Sequence, residues 1–413
     1  MSNPIEKTSE NKNIKFGAVM SIICGLILSM GAIHMDTINW ILPTIAQDLA
    51  SGNSTLMVTS GFFYGMMVGH VIVGPLSDMI GKKKTMVVGF IICIIGAAIG
   101  SQAGGLGGLI AARLLQGVGG AAASNAARAV GGDAGKGRKS AMALTFMQIW
   151  SAAIPIILPL SGKWVGNSFG WPAIFWLQAA ICGILCILVL IFVRETSEIS
   201  GKGCVKRITG EGKSCLATPE YVFFVLCFAF NMATFFLYSG SMSVAMVTEL
   251  GMDNNHYANV YAWGAVAMTI FAFLGRTFVA PKVNPSVIIR ALNAVQIAFA
   301  VFFAAAFLGN FADWHYMQYM LWILPAVQGI VLPVAMAQVM NASGKATGTG
   351  AAFMGFVQYL FSSITTTILA TVKEGGSVGQ YIGIMMVVTA GCSFIFCVMG
   401  KRALLKKDPN AII

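Results

Sequence analysis

Runs of twenty or more mostly apolar residues recur from one end of this chain to the other, and that recurrence constrains the fold more than any other feature. About 20 such residues cross a bilayer as a helix, and in lipid only helices and closed barrels satisfy every backbone group. The runs place twelve helices at 16–44, 57–77, 84–103, 106–131, 140–162, 171–193, 219–248, 257–275, 284–309, 317–340, 347–372 and 379–400. Only 10% of the 413 residues are charged and 57% are hydrophobic, too little charge to cover a soluble surface. The expected class is an all-α membrane protein of twelve transmembrane helices.

The formal net charge of +11 would in a soluble chain suggest a nucleic-acid partner. The positions of the cations explain it differently. Lys7, Lys12 and Lys15 precede the first run; Lys82, Lys83 and Lys84 join the second to the third; Lys136, Arg138 and Lys139 join the fourth to the fifth. Arg194, Lys202, Lys206, Arg207 and Lys213 join the sixth to the seventh, and Lys401, Arg402, Lys406 and Lys407 follow the last, whereas the other side carries essentially Lys163 and Lys373. Such an excess marks cytoplasmic loops. Both termini are therefore expected in the cytoplasm of a bacterium, with the chain multi-pass in the inner membrane, lipid as its surroundings and no nucleic acid as partner.

The longest polar stretch divides the chain into a cytoplasmic tail 1–15, a six-helix bundle 16–193, a central loop 194–218, a second six-helix bundle 219–400 and a tail 401–413. Two bundles of six fit a transporter whose halves rock about a central site. Composition alone leaves a channel or a polytopic enzyme open, although the runs offer few converging nucleophiles or paired carboxylates. Most of the nine cysteines lie inside apolar runs, and Cys204 and Cys215 in the central loop lack ligand spacing, so no metal site, disulfide framework or cofactor is expected.

Three segments carry polar chemistry inside this apolar frame. After the second run comes Gly74-Pro75-Leu76-Ser77-Asp78-Met79-Ile80-Gly81-Lys82-Lys83-Lys84; the bland reading is that its lysines only set topology. The fourth run contains Arg113-Leu114-Leu115-Gln116-Gly117-Val118-Gly119-Gly120. An Arg in a membrane helix costs a few kcal/mol or more and is functional by default. Gln116 shares its face, and Gly117 and Gly120 permit close helix packing. A phosphate-binding loop is excluded because no strand precedes these glycines. The first run contains Asp36, at about 10–12 Å from its outer end at 1.5 Å per residue, and Arg113 sits about 10 Å from the outer end of the fourth. A buried Asp36–Arg113 pair is thus geometrically possible, as a proton switch or as a static ion pair. In the fifth run, Pro159 and Gly162 would bend and pack the helix.

These motifs in this order resemble the major facilitator superfamily, and within it the Bcr/CflA subfamily of twelve-span drug:proton antiporters, over nearly the whole chain. Gly74, Leu76, Asp78, Gly81, Lys82 and Lys83 match the superfamily's loop signature, with Met79 where an Arg is usual; Arg113, Gln116, Gly117 and Gly119 match its fourth-helix motif. Pro159 and Gly162 match the antiporter motif only approximately. The resemblance implies a gate in which Asp78 meets the start of the eleventh helix at 347–350, and a proton-motive export cycle for small, often lipophilic compounds with no further cofactor. Import of a small nutrient by the same fold stays open. Trp40, Phe62, Tyr64, Phe235, Phe236, Tyr238 and Trp263 are the expected aromatic walls of the substrate cavity, with Asn231 and Gln328 as polar members; each could equally face lipid or a neighbouring helix. His70 stands where a Gln is common, and a monomer is the expected working unit.

Overall fold

The computed structural model describes residues 18–133, 138–196, 210, 212–280, 282–343, 347–372 and 377–407. The predicted N-terminal tail, residues 408–413 of the predicted C-terminal tail, most of the central loop and the side chains of Pro75, Leu76 and Asp78 lie outside the described residues, whereas 401–407 continue the last helix. Every regular element among the described residues is helical. Ten helices are long and apolar enough to cross a membrane, and a bent pair makes eleven.

That bent pair is the first crossing. It runs through α1 (Ala18–Leu28), α2 (Met30–Asp36), a single turn at Asn39–Ile41 and α3 (Leu42–Asp48), with a 46° bend. The Ser29 hydroxyl donates to the Leu26 carbonyl at 2.6 Å, a back-bond that competes with the helix ladder where α1 gives way to α2. The second interruption follows Asp36, where the Ile38 N–H turns to the Met35 carbonyl instead of the His34 carbonyl that a regular helix would use. Pro43 then restarts the helix in its first turn, where its missing N–H costs nothing.

The remaining helices are α4 (Leu56–Ile80), α5 (Lys82–Ser101), α6 (Leu106–Gly132), α7 (Arg138–Phe169), α8 (Pro172–Phe192), α9 (Pro219–Ser243), α10 (Asn254–Leu274), α11 (Pro285–Leu308), α12 (Trp314–Ala342), α13 (Thr347–Ala370) and α14 (Val378–Lys407). Helix α7 contains Pro155 and Pro159 and still runs for 32 residues. Helices α9 and α10 each end in a π-helical turn, at Val244–Glu249 and Gly275–Val279.

Helices α1 to α8 pack chiefly on one another, through α4–α6, α5–α6 and α5–α8, and helices α9 to α14 do the same through α9–α14, α11–α14 and α10–α12. The two groups meet mainly along α4–α13 and α7–α10. Small residues set the closest approaches. A methyl group added at Gly65 would stand 2.9 Å from the Gly117 Cα, and one at Gly89 would stand 2.7 Å from the Gly119 carbonyl oxygen. Helices α4, α5 and α6 therefore touch backbone to backbone, the way helices associate where burial from water gives no drive. The outer surface is apolar: Ile91, Ile95 and Ile99 on α5, Ile184, Ile187 and Ile191 on α8, and Val388 and Ile395 on α14 are exposed at helical spacing, as a lipid-facing belt requires.

Candidate functional site

The break after Asp36 puts a carboxylate against the second helix group. Tyr261 on α10 donates its hydroxyl hydrogen to Asp36 Oδ1 at 2.8 Å. With that hydrogen committed, Ser239 on α9 donates to the Tyr261 oxygen at 2.9 Å. Asn39, one turn beyond Asp36, donates to the Ser239 carbonyl at 2.8 Å. Asp36 is 8% exposed and Tyr261 6%, so this chain of polar groups is sealed in the seam between the groups. Tyr238 and Tyr257 flank Tyr261, with ring centroids 5.7 and 6.1 Å away.

Arg113 lies close by but serves another partner. It is fully buried and donates to Gln116 Oε1 at 2.9 Å and to the His34 carbonyl at 2.7 Å. That carbonyl is the one the helix break releases, so the guanidinium satisfies backbone that would otherwise be orphaned in lipid. Its carbon stands 4.9 Å over the Phe62 ring, a cation–π contact. Gln116 donates to Gln178 Oε1 at 2.9 Å, and Gln178 donates to Thr37 Oγ1 at 2.7 Å. The expected Asp36–Arg113 ion pair is therefore not what these bonds describe: Asp36 is bound across the seam and Arg113 within its own group. His34, whose carbonyl Arg113 holds, lies two residues before Asp36, at the helix break.

Further along the seam, Phe63, Phe236 and Tyr359 stack together, with centroids 4.5 Å apart for Phe63–Phe236 and 5.7 Å for Phe236–Tyr359. Met35 and Met66 are buried in the same cluster. His70 stacks on Tyr359 at 5.3 Å and packs against Gly355, while Asn125 donates to its Nδ1 at 3.0 Å. Arg128 holds Asn125 in turn, at 3.2 Å. On the face where α7 ends and α10 begins, Lys163 donates to the Asn255 carbonyl at 3.1 Å and to Asn259 Oδ1 at 3.0 Å, and Asn254 donates to Thr44 at 3.0 Å. Those bonds join the two groups along that rim.

The other expected residues divide. Tyr64 reaches Thr367 across the seam at 3.2 Å, Phe236 is in the aromatic cluster, and half-buried Phe235 adjoins it with its centroid 5.6 Å from Phe236. Phe62 is buried as the floor under Arg113, stacked on His34 at 5.6 Å. Trp40 is no open wall: it is 2% exposed, packs toward Gly166, and gives its N–H to the Thr37 carbonyl at 3.0 Å. Tyr238 gives its hydroxyl to the Leu321 carbonyl at 2.9 Å. Trp263 is 63% exposed and joins none of these clusters, because it lies two residues, about 200° of helical rotation, from Tyr261. Asn231 is tied to Ser393 and the Cys227 carbonyl, and Gln328 to the Asn231 carbonyl at 3.2 Å; both hold α9 to α12 and α14.

The loop motif is stitched inside the first group. Gly81 takes φ +99° with the Glu195 carboxylate where a side chain would stand. The N–H groups of Lys82 and Lys83 donate to the two Glu195 oxygens at 2.9 and 3.1 Å, an anion at a helix N-terminus. Lys82 pairs with Asp133 at the end of α6, and Lys83 donates to the Leu190 carbonyl at 2.8 Å. Gly74 and Asp78 lie in the last turns of α4, with the Asp78 side chain outside the described residues. Gly117 packs on Gly65, Gly120 faces Met66, and Gly162 on α7 lies against the Thr37 backbone; Pro159 is buried one turn before it. Sequence reasoning missed Tyr261, Ser239, Gln178, Tyr359, Glu195 and Asp133. Gln178, a lone amide in an apolar run, was the one with a signal.

A wholly helical membrane protein whose two helix groups meet at a buried polar seam has the architecture of a secondary transporter built from repeats. The chain belongs to the Major Facilitator Superfamily, whose family profile matches residues 19–366; it is a multi-pass membrane transporter, not an enzyme. It is 24% identical over 323 residues to "Multidrug resistance protein MdtL" of Vibrio parahaemolyticus, covering 78% of this chain and 81% of the relative. It is 23% identical over 358 residues to "Bicyclomycin resistance protein homolog" of Haemophilus influenzae, covering 84% and 89%. Among solved structures it shares its fold with a D-xylose–proton symporter, at TM-score 0.69 and 14% identity over 92% of this chain and 97% of the symporter. It also shares its fold with a bacterial homologue of the human lysosomal transporter Spinster, at TM-score 0.67 and 14% identity over 98% of each chain.

Proposed function

We propose that this protein exports small, often lipophilic compounds from a bacterial cell in exchange for protons, by alternating access between bundles 16–193 and 219–400 of one chain. In this reading twelve helices cross the inner membrane, both termini are cytoplasmic, and a monomer suffices because both halves of the seam belong to one polypeptide. The names of the relatives, multidrug resistance and bicyclomycin resistance, support the cargo class. The aromatic and Met cluster in the seam suits varied apolar ligands.

The observation that carries the coupling is the Tyr261–Asp36 bond across the seam. A charged carboxylate accepts a charge-assisted bond that a neutral carboxyl accepts more weakly. A proton on Asp36 thereby changes how firmly the halves hold each other. One charge crossing 100 mV releases about 2.3 kcal/mol, comparable to one such bond. Arg113 has a positioning role here, fixing the broken helix that carries Asp36. The gate residues Gly81, Lys82 and Lys83, with Glu195 and Asp133, hold the first bundle rigid as it rocks.

The test uses inverted membrane vesicles with an acidified lumen, a pH-sensitive dye and a panel of lipophilic compounds. Compound-triggered alkalinisation by the wild type, lost in Asp36→Asn, is expected. An equal response in the variant would move the proton site elsewhere. Cargo and protons leaving the lumen together would make the protein an importer and defeat the export reading.

A further inference from the structure

Inside the first helix group, away from the seam, three potential ligands converge. His34 comes from α2, Cys93 from α5 and Cys182 from α8. Their ligand atoms all lie within 4.8 Å of one another, and all three residues are 0% exposed. We propose that His34, Cys93 and Cys182 form a buried binding site for a soft monovalent metal ion of the copper(I) type. The proposal stands apart from the export reading and uses none of the seam contacts.

Buried cysteines are ordinary packing residues, so the decisive residue is His34. Its Nδ1 lies 3.0 Å from the Met30 carbonyl, which can only accept. Nδ1 therefore carries the hydrogen, and Nε2 carries a lone pair. That Nε2 is buried with no partner of ordinary hydrogen-bond geometry among the described residues, although the Cys182 thiol, a weak donor, interacts with the ring. An orphaned buried acceptor costs about 1–3 kcal/mol and calls for an explanation. A ring pinned through Nδ1–H to a backbone carbonyl, with its other nitrogen left free to bind, is the arrangement a metal-binding histidine uses.

The donor set and the charge select the ion. Two thiolates and an imidazole favour soft cations over magnesium or calcium. Bonds of about 2.0–2.3 Å to a trigonal centre would put the ligand atoms about 3.5–4 Å apart, within a small side-chain adjustment of the observed cluster. Binding releases the two thiol protons, so a monovalent ion leaves the site with one net negative charge. The Arg113 guanidinium, within electrostatic reach of Cys93, supplies the compensating positive charge. Arg113 Nε is itself a buried donor without a partner among the described residues. A divalent ion would leave the Arg113 charge uncompensated in a low-dielectric interior. Structural zinc also takes four ligands, and among the described residues the group contains three. The space is close-packed: a methyl group at Gly119 would stand 2.7 Å from Cys93 Sγ. An ion here would tie α2 to α5 and α8 two residues from Asp36.

The experiment uses the full chain, purified in detergent under anaerobic reducing conditions. Copper(I) is titrated in competition with a chromophoric chelator, and X-ray absorption is recorded on the loaded wild type. One ion per chain is expected, with a spectrum of two sulfur ligands and one imidazole nitrogen. Cys93→Ser, Cys182→Ser and His34→Gln should each weaken binding by more than about 100-fold, beyond the cost of losing an outer partner, while Cys227→Ser leaves it intact. The spectrum needs no variant, so a substitution that fails to fold does not leave the idea untested. No competitive copper(I) binding by the wild type, a spectrum without imidazole, retention of the ion by the three variants, or preference for zinc over copper(I) would each overturn the proposal.

Discussion

Replacing Tyr261 by phenylalanine removes a single oxygen from the seam and leaves the ring in place. The ring keeps its neighbours Tyr238 and Tyr257 at 5.7 and 6.1 Å, so the change in packing is small. What goes is the 2.8 Å bond to Asp36, and with it the acceptor that Ser239 uses at 2.9 Å. A hydrogen bond to a charged group contributes about 1.5–3 kcal/mol. Because this one joins α2 to α10 across the two groups, its loss acts on the equilibrium between closed and open seams more than on the fold of either group. At 1.4 kcal/mol per factor of ten, the open population should rise about 10- to 150-fold. Spin labels placed at Phe169 and Leu308, both exposed and on the same membrane face in different groups, report that opening as a longer-distance component. Attaching them to non-natural residues leaves the native thiols silent. The effect should also fade with falling pH: once Asp36 is protonated, the wild type has lost the charge-assisted bond and converges on the variant. Distance distributions that match the wild type across the pH range would show that this bond does not hold the seam shut, and the coupling argument would fall with it.

Two further outcomes test the packing. Gly117→Val sets a branched side chain against Phe62 and Gly65 where α6 touches α4; overpacking of this kind costs about 1–3 kcal/mol or more, and a lower melting temperature with loss of monodisperse protein in detergent is expected, whereas unchanged melting would refute the close backbone approach. Gln178→Leu strands the Gln116 amide that now donates to it; an unpaired buried donor costs about 1–3 kcal/mol, and the double variant with Gln116→Leu should be less damaging than the sum of the two, as measured by thermal unfolding.

The sequence was most informative where solvent decides structure. Apolar runs of about twenty residues cross lipid as helices, so the membrane class and the family are readable from the order of the runs and from Arg113 to Gly120. Composition says nothing about bends: the first run reads as one span, and only the backbone shows the break at Asp36 and the carbonyl it exposes to Arg113. The buried pair inferred from depth illustrates the limit, since rise per residue gives height in the membrane but not rotation about the helix axis. Asp36 and Arg113 share a height and face different partners. The same holds for Trp263 and Tyr261, two residues apart, one exposed and one in the seam. No spacing rule finds His34, Cys93 and Cys182, which lie on three separate helices and become neighbours only through packing. The sequence alone determined the solvent, the all-helical class and the family, because each follows from local pattern. Which polar groups meet was decided by the rotation and bending of helices against one another, and those depend on contacts between residues far apart in the chain.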